Sequence, residues 1–254
     1  MTSPLAFDDA GQGPVTLLLH PFPFDRRVWR AVKPELALHR RVLSVDLLGF
    51  GHSTSKTPPR TMDAHADALV ALLDSLQIDR VAVAGLSMGG YVALALSARY
   101  PARVSHLCLI DSRASADTEE AKQGRKQSMA LVASQGVTAL YDGMESRLFS
   151  RDPMPQFTDF ARAVASGQSP NAVLAALVAM RDRSDYHDHF VSLSIPTLCV
   201  AGSLDTLTPP DELAALADAH AHGQFVLLDG AAHLPCIERP EALVRALNAF
   251  LPSR

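Results

Sequence analysis

The chain has 254 residues, a formal charge of −4, 48% hydrophobic residues and 20% charged residues. That length suits one domain with a modest insertion, and the apolar fraction can fill a large core and argues against disorder. No Lys/Arg run marks a nucleic-acid partner, and no stretch reaches the roughly 18 to 20 apolar residues that a membrane span needs.

The start, Met1 to Asp9, has neither the basic residue nor the apolar run of a signal peptide. Strands are expected at 15–20, 42–46, 81–85, 104–111, 195–201 and 224–229. Helices fit between and after them at 25–38, 61–76, 88–100, 209–221 and 240–251. Within 81–84 and 197–201 the apolar residues hardly alternate with polar ones, which marks strands buried on both faces of a parallel sheet. Thr208 before Pro209-Pro210-Asp211-Glu212 reads as a helix cap, and Pro240-Glu241 opens the last helix. Strands alternating with helices specify an α/β doubly wound fold. The rhythm breaks at 113–190, where only helices are expected, at 119–134, 137–148, 154–166 and 171–183. Gly136, Pro153, Pro155, Gly167 and Pro170 punctuate them. The economical division is a core of 1–112 and 191–254 carrying a helical cap at 113–190. Cys108, Cys199 and Cys236 lack the paired spacing of a zinc or redox motif, and the first two sit in strands as small hydrophobes. The chain reads as cytoplasmic and reduced, and its oligomeric state has no signature in the sequence.

The most informative segment is Val81-Ala82-Val83-Ala84-Gly85-Leu86-Ser87-Met88-Gly89-Gly90. A buried strand runs straight into a helix through Gly-x-Ser-x-Gly, so Ser87 stands on a strained turn beside helix N–H groups that favour developing negative charge. Serine needs a base, and the base needs an orienting acid. Asp205 follows the strand at 195–201 and His233 follows the strand at 224–229. Both lie at strand C-terminal ends, in the order serine, acid, histidine. A tetrahedral intermediate also needs N–H donors. Met88 supplies one. In His20-Pro21-Phe22-Pro23-Phe24 only Phe22 has an N–H among residues 21 to 23, so Phe22 is assigned the other. A cis Phe22–Pro23 bond would tighten that loop.

These motifs resemble the α/β-hydrolase superfamily across nearly the whole chain. Asp46-Leu47-Leu48-Gly49-Phe50-Gly51-His52-Ser53 is similar to its Asp-x-x-Gly-x-Gly-x-Ser loop, and His20 with Phe22 to its oxyanion loop, although Pro21 replaces the usual glycine. Serine at the elbow argues against dehalogenase or epoxide hydrolase chemistry. The resemblance is to small bacterial carboxylesterases, 3-oxoadipate enol-lactonases and cofactor-free haloperoxidases or perhydrolases. It implies a serine hydrolase cleaving an ester or lactone through an acyl-enzyme, with neither metal nor organic cofactor. A ligand receptor on the same fold would be expected to have lost part of the triad.

Other residues are assigned blander roles. Asp111 ends a core strand where some relatives carry the acid, but Asp205 is preferred. Asp46 and His20 hold loops together. His187-Asp188-His189 reads as a solvated loop and not a metal site, and His220 and His222 as surface residues at a helix end. Arg113, Arg125, Lys126, Arg147 and Arg162 read as a solvated face of the cap that matters only for a carboxylate-bearing substrate. The cap itself is expected to roof the site with an apolar wall.

Overall fold

Residues 5–253 are described by a computed structural model, and a seven-stranded sheet runs through its centre. The strands are β1 (Phe7–Ala10), β2 (Val15–Leu19), β3 (Arg41–Val45), β4 (Val81–Leu86), β5 (Val104–Ile110), β6 (Thr197–Gly202) and β7 (Gly223–Leu228). Their order is β1-β3-β2-β4-β5-β6-β7, parallel throughout except for the antiparallel edge strand β1. The helices are α1 (Lys33–Ala37), α2 (Met62–Ser75), α3 (Met88–Arg99), α4 (Glu119–Leu148), α5 (Pro155–Ser166), α6 (Pro170–Arg181), α7 (His187–Ser192), α8 (Pro210–Ala219), α9 (Pro235–Glu238) and α10 (Pro240–Phe250).

Side chains alternate across a strand, so the unbroken apolar runs feed two cores at once. Val81 and Val83 pack into one layer with Leu69, Leu72, Leu94 and Leu213 from α2, α3 and α8. Ala82, Ala84 and Leu86 pack into the other with Trp29, Leu36, Leu243 and Leu247. Each fully buried leucine contributes about 1.5–3 kcal/mol by leaving water. The register sets Leu19 beside Gly85, Leu86 beside Ile110 and Ile110 beside Val200. The chain therefore leaves β2, β4, β5 and β6 along one edge, and the candidate residues share it.

Four features differ from the sequence reading. The expected helix at 25–38 is a 3-10 turn (Arg26–Trp29) followed by the short α1. Asp25 accepts the Arg27 N–H at 3.0 Å, and Pro34, having no N–H, must open a helix and not continue one. Strand β1 carries Asp8 and Asp9, which mask it in sequence. They serve the edge by pairing with Arg26, Lys33 and Arg41. The segment read as a loop at His187 is the helix α7, with His189 Nε2 2.9 Å from Ser97 Oγ. His220 is buried, not on the surface: its Nε2–H donates to the Leu193 carbonyl (2.8 Å) and its Nδ1 accepts the His222 N–H (3.0 Å).

Between β5 and β6 the described residues form helices only. Helix α4 is broken at Gly136 (φ 84°, ψ −179°), a conformation open to glycine alone, at the place where the two expected helices meet. No single helix among the described residues is long and apolar enough to cross a membrane.

Candidate active site

Ser87 has φ 51° and ψ −114°, a left-handed conformation that costs a non-glycine residue about 1–3 kcal/mol. The flanking glycines explain how the turn closes. A Cβ on Gly85 would lie 2.3 Å from the Gly89 carbonyl oxygen, and one on Gly89 would lie 2.2 Å from that of Leu19. The turn is pinned by Ser87 N–H to the Ile110 carbonyl (2.9 Å) and by the Ser112 hydroxyl to the Ser87 carbonyl (2.8 Å). Helix α3 begins at the next residue without a side-chain cap, leaving its positive end beside the serine.

His233 Nε2 lies 3.0 Å from Ser87 Oγ, and His233 Nδ1 lies 2.8 Å from Asp205 Oδ2. The Asp205 carboxylate also accepts the Leu207 N–H (2.8 Å), the Thr208 N–H (3.2 Å) and the Thr208 hydroxyl (2.5 Å). Burial alone would raise the Asp205 pKa, but the donors from His233 and Thr208 outweigh it and bring it down to about 2. An ionised Asp205 can only accept, so the Asp205-facing Nδ1 carries the imidazole proton and Nε2 is free to accept from Ser87. Thr208 thus holds the acid and does not cap α8, whose N-cap is Pro209 with no side-chain bond.

Asp111, the rival acid, does not reach the imidazole. Its Oδ1 accepts the Gly202 N–H at 2.8 Å, and its carboxyl lies beside that of Asp205. Burial and the neighbouring Asp205 charge push its pKa well above the ordinary aspartate value, which favours its neutral form beside the ionised Asp205. Its backbone is also left-handed, at φ 40°.

Phe22 lies in a turn closed by Phe24 N–H to the Pro21 carbonyl (3.0 Å), and the Phe22–Pro23 peptide is cis. Among the described residues neither the Phe22 nor the Met88 N–H has a protein acceptor. The close approach of Gly89 to Leu19 and His20 puts this loop against the start of α3. His20 is buried, accepting the Leu47 N–H on Nε2 and facing the Pro21 carbonyl with Nδ1, both at 3.0 Å. Burial lowers its pKa. Asp46 pairs with Arg26 and accepts the Arg26 and His52 N–H groups, each at 2.8 Å. Both residues act as loop braces.

A cavity of about 520 Å³ opens over Ser87 and His233. Its roof comes from both halves of α4 and is not the expected apolar wall. Leu131 and Met144 are joined there by Arg125, Gln127, Ser128 and Arg147, because these polar positions share the helix faces turned to the site. Among the described residues no cluster of three or more His, Cys, Asp or Glu side chains is placed to hold a metal.

A family model for the alpha/beta hydrolase fold matches residues 14–240. The chain belongs to the α/β-hydrolase family. Its structure superposes on a thermophilic esterase from Thermogutta terrifontis with a TM-score of 0.93 and 37% identity, over 97% of this chain and 92% of that one. The enol-lactonase from Burkholderia xenovorans LB400 gives 0.90 and 27%, over 97% and 95%. In sequence the chain is 27% identical to a pimeloyl-[acyl-carrier protein] methyl ester esterase of Legionella pneumophila, over 96% of this chain and 98% of that protein.

The parts that Thr208, Ser112 and Glu238 play in the site escaped the sequence reading, in which Thr208 is a helix cap. Thr208 had a signal, since a hydroxyl three residues after a turn aspartate can reach back to it. Ser112 and Glu238 act across long sequence separations and had none.

Proposed function

We propose that this hydrolase cleaves carboxylic esters through an acyl-enzyme on Ser87. The carrying observation is the hydrogen-bonded series Ser87 Oγ, His233, Asp205, at 3.0 and 2.8 Å, on a turn at a helix N-terminus. The esterase relatives above support the same reading.

In the first step Ser87 Oγ attacks the ester carbonyl while its proton passes to His233 Nε2. Asp205 stabilises the imidazolium through the Nδ1–H bond. Charge gathers on the carbonyl oxygen, and the Phe22 and Met88 N–H groups are the donors assigned to it. The imidazolium then gives its proton to the departing alcohol. Water, activated by the same Nε2, releases the acid and restores Ser87. Residues 113–190 serve as a cap that closes over the acyl chain. The enol-lactonase likeness favours cyclic esters as a second substrate group.

The test compares wild type and Ser87→Ala on short 4-nitrophenyl esters. A loss of about 10⁵-fold or more in kcat, with an acyl adduct on Ser87 trapped by mass spectrometry in wild type, is expected. Equal rates in the two proteins would overturn the serine mechanism.

A further inference from the structure

The cavity over Ser87 is positive in a chain whose formal charge is −4. Arg113, Arg125 and Arg147 line it against one carboxylate, Asp117, while Arg162 pairs with Asp142 and contributes nothing to the lining. The arginines differ in how far their charge is already used. Arg113 donates to the Leu207 carbonyl (2.9 Å) and lies 3.3 Å from Glu212. Behind the cavity, buried Arg183 binds Asp117 and the Ser115 and Met180 carbonyls, with its guanidinium 4.1 Å from the Tyr91 ring centroid. Arg183 therefore already offsets the one carboxylate in the lining, Asp117, from its Oδ1 side.

Arg125 shares that same carboxylate through its Nε, 3.1 Å from Asp117 Oδ2. Its two terminal nitrogens have no acceptor among the described residues. Arg147 has no hydrogen bond or ion pair among them at all. The break at Gly136 matters here, because it brings Arg147, from the second half of α4, to the cavity that Arg125 lines from the first. Leu131, Met144 and Leu207 supply apolar wall in the same cavity, and a Cβ on Gly124 would touch nothing within 4 Å.

We propose that this cavity selects esters that carry a carboxylate away from the scissile bond, held by Arg125 and Arg147. A guanidinium fork matches a carboxylate with two parallel N–H bonds, and a fork fixed from behind by a buried anion loses little freedom on binding. A cleft of one sign also concentrates oppositely charged substrate, an effect that salt weakens. The proposal rests on the ester-hydrolase reading of the same site.

The experiment measures kcat/KM for mono(4-nitrophenyl) glutarate against neutral 4-nitrophenyl hexanoate, and for 4-carboxyphenyl acetate against phenyl acetate. The first pair places the carboxylate on the acyl side and the second on the alcohol side. In at least one pair, wild type is expected to prefer the acid at low salt. That preference should fall about tenfold or more in Arg125→Gln and in Arg147→Gln, mainly through KM. Arg147 is exposed, so its variant keeps the test informative if Arg125→Gln fails to fold. Preferences unmoved in folded Arg147→Gln and in the double variant would overturn the proposal. Titration of glutarate into Ser87→Ala by calorimetry separates the two readings. Glutarate binding to Ser87→Ala that is lost on adding Arg147→Gln, with no ester turned over by wild type, would sink the esterase reading and keep the anion site. Ser87-dependent turnover with no preference for the acid in either pair would do the reverse.

Discussion

Glu238 ties Ser150, 88 residues away in sequence, to the backbone just before His233. Its Oε1 accepts both the N–H (2.8 Å) and the hydroxyl (2.6 Å) of Ser150, and its Oε2 accepts the Ala232 N–H (2.9 Å). The end of α4 and the loop of the candidate base are thus fastened to one buried carboxylate. Glu238→Ala leaves these donors without an acceptor, and an unsatisfied buried donor costs about 1–3 kcal/mol. A loss of about 2–3 kcal/mol in urea unfolding is expected, together with a lower kcat as the His233 loop shifts. Wild-type stability and rate in this variant would show that water replaces the carboxylate.

The two buried acids near His233 are expected to answer differently to the same substitution. Asp205→Asn removes the charge that faces the imidazole and can reverse its tautomer, so kcat should fall by about 10³–10⁴. Burial and the Asp205 charge favour the neutral form of Asp111, and asparagine retains an oxygen for the Gly202 N–H. Asp111→Asn should therefore stay within about tenfold of wild type, since it mimics the neutral form that the site favours and does not touch the imidazole. Steady-state kinetics on one 4-nitrophenyl ester decides. A larger loss in Asp111→Asn than in Asp205→Asn would exchange their roles.

Much of this site was legible because its parts follow strand ends. Ser87, Asp205 and His233 each sit just beyond a strongly apolar run, and the chain order was enough to pair them before any distance was known. The rest depended on rotation and long-range closure. Arg113, Arg125 and Arg147 could not be separated from Lys126 and Arg162 without the facing of α4 and its break at Gly136. Strand β1 was hidden because the charges that protect a sheet edge are those that disguise a strand. His220 was misplaced for a related reason: its partner, the Leu193 carbonyl, lies 27 residues back.

Stability should fall with acid through His65. This α2 residue is buried, and neither ring nitrogen has a partner among the described residues. Burial, with a smaller contribution from His20, lowers its pKa from 6.5 to about 3. The unfolded chain then takes up the proton first as pH drops below about 6.5, so stability is fullest above that value and declines toward pH 3. Between pH 7 and 5 this one group accounts for about 2 kcal/mol. His65→Leu should shrink the difference between urea-unfolding free energies at pH 7 and pH 5 by that amount. The lowered pKa of His20 acts with the same sign, so part of the acid sensitivity should persist. An unchanged difference in the variant would mean that His65 takes up its proton over the same pH range in the folded and unfolded chains.

Gly136→Ala separates a backbone requirement from a packing one. An added Cβ there would meet nothing within 4 Å, so any penalty must come from the φ of 84° and ψ of −179°. Such a backbone costs an L residue about 1–3 kcal/mol, and the variant should lose that much in urea unfolding. Relief is possible only if α4 straightens through the break, which would carry Met144 and Arg147 off the cavity. A protein of full stability that binds glutarate like wild type would show that the break at Gly136 is not what sets the second half of α4 over Ser87.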